Sequence, residues 1–240
     1  MLGNPFSFLN TVSTEFFLSF IILSLLLFSI LLVNLYETSK ILNNFIIVPT
    51  IFFTLFYVIL LSYFTPQFST TLFNGVLIYD EFTKFLHLFI IICFIIYMLL
   101  QRLQTLRNNF QHFENNIVIL LSVLGMLLLS STYNLVTLYL ALELQSLAFY
   151  ILAALKNDSP VSTEAALKYF ILGAVGSGFV LYGISIIYGI CGSVNFGNIF
   201  LILSQINLIE NTFFIMVFIY AFLFLCVGIL FKVGAAPFHT

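Results

Sequence analysis

Between Phe213 and Phe231 the chain runs through apolar residues without a single charge, and Lys232 closes the run. Such a stretch matches the roughly 20 apolar residues that a helix needs to cross a bilayer's hydrocarbon core. Similar runs lie near residues 16–35, 45–64, 85–100, 116–130, 133–155 and 162–190. Hydrocarbon offers a backbone amide no water to bond, so each run must satisfy its own peptide groups as a helix. Of the 240 residues, 62% are hydrophobic and 7% are charged, where a soluble domain carries about 25% charged residues. These features predict an all-α fold, a polytopic membrane helix bundle of about seven transmembrane helices with the last one broken. A net charge of -2 and the lack of a basic stripe argue against nucleic acid as a partner. Phospholipids are the expected surroundings.

Ionisable residues inside such runs are the informative exceptions. A charge at the bilayer centre costs roughly 2.5–3.5 kcal/mol on insertion scales. Glu143 falls near the middle of the fifth run, in LYLALELQSLAFYIL, and Tyr139, Ser146 and Tyr150 share its helical face. Read blandly, it is a protonated side chain hydrogen-bonded for packing. Read functionally, it is a proton carrier or the partner of a buried lysine, which is the default for an intramembrane acid. Lys168 lies one to two turns into the sixth run. It can pair with Glu164 four residues earlier, or snorkel to the interface. Lys232 precedes GAAPFH, where Gly234 and Pro237 predict a helix break. Broken helices in membranes line cavities or are buried in protein, and in transporters they mark binding sites. His239 lies just beyond and titrates near neutral pH. Glu143, Lys168, Lys232 and His239 together form a candidate proton path. At about 4 Å and an effective dielectric near 20, a lysine–carboxylate pair interacts by roughly 4 kcal/mol. A small displacement of one partner then decides whether the other keeps its proton.

The remaining polar residues read more plainly. Residues 65–82 are expected to form a solvated loop leading into the third span, with Asp80, Glu81 and Lys84 near its end. His87 is expected at the membrane interface, and Arg102 and Arg107 in the loop after that span. Lys40, Arg102, Arg107 and Lys156 all follow odd-numbered spans. The positive-inside bias therefore puts those connections on the cytoplasmic or matrix side and the N-terminus on the other. Ser162 or Thr163 is a candidate cap for the sixth helix, and Gly173, Gly176, Ser177, Gly178 and Gly183 predict its close packing in the bundle. A short amphipathic helix is expected around residues 199–209. Cys93 and Cys226 lie in apolar runs and read as small buried hydrophobes. No cysteine spacing suggests zinc, haem or an iron–sulfur cluster. The 31 Phe and the absence of Trp fit A+T-rich, organellar coding.

Three stretches carry a family resemblance: LYLALELQSLAFYILAALKN, STEAALKYFILGAVGSGFVLYGISIIYGICGSVNF and GILFKVGAAPFH. They resemble subunit 2 of respiratory complex I, the proton-pumping NADH:ubiquinone oxidoreductase, more than the related subunits 4 and 5. The likeness is dense from about Ser131 to His239 and weak before it.

The resemblance implies an antiporter-like fold of two inverted five-helix repeats, each with a broken helix. Residues 1–115 would hold three leading helices and residues 116–240 most of the first repeat, with the second repeat absent. It implies that Glu143 is the fifth-helix glutamate, Lys232 the lysine beside the break in the seventh helix, Lys168 the linking sixth-helix lysine and His239 the histidine after the break. Because the second repeat is missing, a split subunit is expected, with a second polypeptide supplying the rest. The other implied partners are neighbouring subunits 4 and 4L. No cofactor is expected on this chain. NADH, FMN, iron–sulfur clusters and ubiquinone would belong to the wider assembly, in a mitochondrial inner membrane. The rival readings are a Mrp-type cation/proton antiporter, a hydrogenase membrane subunit, or a structural subunit with an inactive relay.

Overall fold

The computed structural model describes residues 70–73, 75–107, 114–156, 159–205 and 212–235. The first two expected spans, Pro237 and His239 lie outside them. The chain divides into two compact units, Met1–Ser131 and Thr132–Thr240.

In the first unit, strands β1 (Thr70–Leu72) and β2 (Leu77–Tyr79) form an antiparallel hairpin with Thr71 opposite Ile78. This corrects the expected loop. The apolar residues of the hairpin are too few to form a span, and Gly75 turns the chain at φ 82°. Helix α1 (Glu81–Arg107) follows at once. The Asp80 amide donates to Thr83 Oγ1, which donates back to the Asp80 carbonyl, both at 2.8 Å. This reciprocal bonding satisfies a free amide at the helix start, and Glu81 adds a negative charge there. The helix runs unbroken through Arg102 and Arg107, which therefore belong to it and not to a following loop. Cys93 is exposed, contrary to the expectation of a buried thiol. Helix α2 (Glu114–Ser131) packs against α1.

The second unit holds α3 (Leu135–Ala154), α4 (Pro160–Cys191), α5 (Phe196–Gln205) and α6 (Thr212–Val233). Among the described residues, four helices are long and apolar enough to cross a membrane: α1, α3, α4 and α6. The apolar part of α2, Val118–Ser131, is shorter. The chain is thus a multi-pass membrane protein.

Two asparagines start this unit. Asn134 caps α3 by accepting from the Val136 amide at 2.9 Å, and its Nδ2 donates to Asn195 Oδ1 at 3.0 Å. Two backbone bonds, Leu135 N to Val194 O and Phe196 N to Tyr133 O, close a small bridge between the starts of α3 and α5. Helix α4 begins earlier than Ser162 or Thr163. Ser159 holds the cap position and Pro160 the first turn, where its missing amide costs no bond. Ser162 instead donates to the Ala153 carbonyl at 2.7 Å, satisfying an acceptor at the end of α3. Gly192 ends α4 at φ 62°. The amphipathic segment is α5, which buries Ile199 and exposes Phe200 and Leu201.

The tightest packing joins α4 to α6. A side chain at Gly228 would meet the Gly176 carbonyl at 2.6 Å, and one at Gly183 would meet the Ala221 carbonyl at 2.8 Å. Only glycine permits so close an approach of backbones. Val180, fully buried, sits in this seam and joins Leu135, Ile184, Ile187, Ile199, Ala221 and Leu225 in the unit's core.

Candidate functional site

Glu143 sits mid-helix on α3, and Lys232 lies in the last turn of α6. The sequence stops α6 immediately after that lysine. Gly234 adopts φ 69°. Its amide bonds the Phe231 carbonyl at 3.3 Å, and the Ala235 amide bonds the Leu230 carbonyl at 3.1 Å. This pair of bonds is a Schellman termination, which uses a left-handed glycine to satisfy the last free carbonyls. The ammonium therefore lies at the negative end of the helix dipole.

From that position Lys232 Nζ donates to Glu143 Oε1 at 2.8 Å. Lys232 is 11% exposed and Glu143 23%. The lysine and the acid predicted from separate runs, 89 residues apart, thus form one ion pair. Gly228 precedes Lys232 by four residues and lies on the same side of α6. Its close approach to Gly176 sets how near the lysine comes to α3.

Around the acid, the polar stripe of α3 acquires partners on both sides. Tyr139 comes close to Ser177 of α4, and Tyr150 to Ser146. Ser146 Oγ also donates to the Glu143 carbonyl at 3.1 Å. The Tyr150 hydroxyl occupies the space a side chain at Gly173 would take, and Tyr169 packs edge-on against its ring at 4.8 Å. Sequence spacing identifies the α3 members of this group. Ser177 is legible from sequence only as a small packing residue, and only the fold turns it toward Tyr139.

Lys168 is not brought to this pair. Its Nζ lies 2.7 Å from Glu164, with the two side chains 69% and 66% exposed. Helix α4 has 32 residues, about 48 Å of helix against a hydrocarbon core of about 30 Å. Its first turns therefore reach the interface. His239 lies outside the described residues. Among the described residues, no group of three or more His, Cys, Asp or Glu side chains is placed to hold a metal ion.

What the pair can do chemically follows from its setting. A carboxylate and an ammonium joined by one hydrogen bond can exchange a proton along it. The termination turn places the lysine at the end of α6, so small movements of that end change the coupling.

Residues 132–240, the second compact unit, match the family described as NADH:quinone oxidoreductase/Mrp antiporter, TM. NADH-quinone oxidoreductase subunit N of Parvibaculum lavamentivorans is 40% identical over 174 residues, which is 72% of this chain and 35% of that protein. NADH-ubiquinone oxidoreductase chain 2 of Marchantia polymorpha is 40% identical over 186 residues, 76% of this chain and 37% of that one. The chain thus spans about a third of the length of these curated relatives. Respiratory complex I from Thermus thermophilus contains a chain that superposes with a TM-score of 0.68 at 27% identity, covering 91% of this chain and 45% of that one. A chain of an archaeal membrane-bound sulfane sulfur reductase shares the fold, with a TM-score of 0.68 at 20% identity. Residues 132–240 are thus similar to the transmembrane domain of the NADH:quinone oxidoreductase/Mrp antiporter family, and the chain is similar to about a third of NADH-quinone oxidoreductase subunit N.

Proposed function

We propose that this chain is part of a non-redox, membrane-arm subunit of NADH:quinone oxidoreductase, and that Glu143 and Lys232 relay protons across the membrane while other subunits oxidise NADH and reduce quinone. The observation that carries the reading is the 2.8 Å contact between two partly buried groups of opposite charge on separate membrane helices. Within the same proposal, Lys168 and His239 are outlying relay members that hand protons toward and away from the pair. The division into leading helices and a first repeat, the mitochondrial inner membrane and an N-terminus on the intermembrane-space side also belong to it. So do neighbouring subunits 4 and 4L as partners.

In the relay, Glu143 takes a proton when Lys232 moves away, because separation removes the ammonium that favours its carboxylate. When the pair closes, the proton leaves and the ion pair re-forms. The hydroxyls of Tyr139, Ser146, Tyr150 and Ser177 offer both donors and acceptors beside the acid. The test replaces Glu143 by Gln in the intact complex, with proton pumping and NADH:quinone reductase activity measured in parallel. Pumping is expected to fall severalfold. Wild-type values of both rates would remove the relay role.

A further inference from the structure

The first unit holds a polar site of its own. His87 lies near the start of α1 and is completely buried beneath its neighbours. Its Nε2 lies 3.1 Å from the Leu127 carbonyl of α2. A carbonyl only accepts, so Nε2 carries the hydrogen and Nδ1 of the neutral ring is a bare acceptor. That Nδ1 is buried and has no partner. The ring of Tyr79, at the end of β2, lies beside the imidazole with centroids 6.1 Å apart. Tyr79 is 4% exposed, and its hydroxyl likewise has no partner. Asp80 Oδ1, the next residue along, is a third buried oxygen without one. Tyr79 Oη and His87 Nδ1 are thus orphaned polar atoms on two rings that lie side by side, and burial without a partner is costly for each.

Their chemistry is complementary. Tyr79 offers a donor, while His87 Nδ1 is an acceptor. Buried waters bridge such groups, typically with about three bonds each. We propose that Tyr79 and His87 hold an internal water, and that through this water His87 takes up and returns a proton. In the step, a proton carried by water adds to the Nδ1 lone pair. The resulting imidazolium donates to the Leu127 carbonyl through Nε2 and to the water through Nδ1. The proton leaves by the same path. The charged residues nearest along the chain are Asp80 and exposed Glu81 at the start of α1 and Lys84, one turn before His87. From Val118 to Ser131, α2 presents no titratable side chain. This inference does not depend on the relay at Glu143.

A density map of the intact assembly at a resolution that shows waters tests the first half. A solvent peak is expected within about 3 Å of both His87 Nδ1 and Tyr79 Oη. It is lost in Tyr79→Phe while the contact from His87 to Leu127 remains. Absence of the peak in the wild type, or a protein atom in its place, overturns the site. The proton step is tested with His87→Gln, whose amide can still donate to Leu127 but does not titrate. The pumping rate of the wild type is expected to vary with pH through His87. That change is expected to flatten in His87→Gln and in Tyr79→Phe, which keeps the imidazole and loses the water's anchor. If the profiles superpose on the wild type, the proton step is overturned. If only Glu143→Gln leaves pumping intact, the relay fails and this site stands.

Discussion

At the scale of single residues, the protein spends its few charges where geometry makes them matter. A buried ion pair is poor evidence for stability, because desolvation offsets much of the attraction, yet removing one partner strands the other. Glu143→Gln and Lys232→Met are each expected to lower stability by about 2 kcal/mol, below the 3–5 kcal/mol of a wholly buried pair. The double variant should cost less than the sum. Thermal melting of all three in the same detergent measures this cycle, and additive losses would show that the contact carries no coupling. Lys168, by contrast, pairs with Glu164 in an exposed geometry, and such pairs contribute about 0.2–1 kcal/mol.

Tyr79 makes a different residue-scale prediction. Burial pushes its phenol up to about 12 from 10.0. The native state therefore holds its proton at pH values where the unfolded chain has lost it. The stability from the neutral phenol is complete below pH 10 and is lost as pH rises through the native value. The loss approaches roughly 2–3 kcal/mol. Melting temperatures at neutral and strongly alkaline pH should fall less in Tyr79→Phe than in the wild type.

At the scale of elements, the seam between α4 and α6 controls the site. Gly228 and Lys232 lie one turn apart, so whatever pushes Gly228 from Gly176 also draws the lysine from Glu143. Gly228→Val places a branched side chain where a carbonyl and Val180 already lie. Overpacking of this kind costs about 1–3 kcal/mol. Lower thermal stability together with reduced pumping is the expected result. A stable variant with unchanged pumping would show that the helices have room to spare. The asparagine bridge joining the starts of α3 and α5 acts at the same scale, because it fixes where α3 begins.

At the scale of the whole molecule, the proposed place in NADH:quinone oxidoreductase predicts an assembly. On a native gel in mild detergent, the chain should migrate with NADH dehydrogenase activity, and mass spectrometry of the band should find flavin and iron–sulfur subunits. Migration as a small species without them would favour an antiporter outside the respiratory complex.

Much of the architecture was legible in advance for a physical reason: hydrocarbon admits only helices here, so runs of apolar residues translate directly into spans. Residues 85–100, 133–155, 162–190 and the run before Lys232 all became long helices. Gly234 announced the stop of α6, because a left-handed turn favours glycine. The hairpin at Thr70–Tyr79 was hidden, since its short strands resemble a polar connection in composition. The enclosure of His87 was hidden as well, because one-dimensional distance from a span's end says nothing about what packs over it.

By itself the sequence determined that residues 85–100, 133–155, 162–190 and 213–231 form long apolar helices, where the seventh run stops, and that Glu143, Lys168 and Lys232 are the unusual charges, because periodicity, turn chemistry and transfer cost are local properties. Only the tertiary structure decided that Glu143 and Lys232 meet while Lys168 faces outward, and that His87 is enclosed beside Tyr79. Those outcomes depend on the rotation of each helix and on backbone contacts between residues far apart in the chain, and no local pattern encodes them.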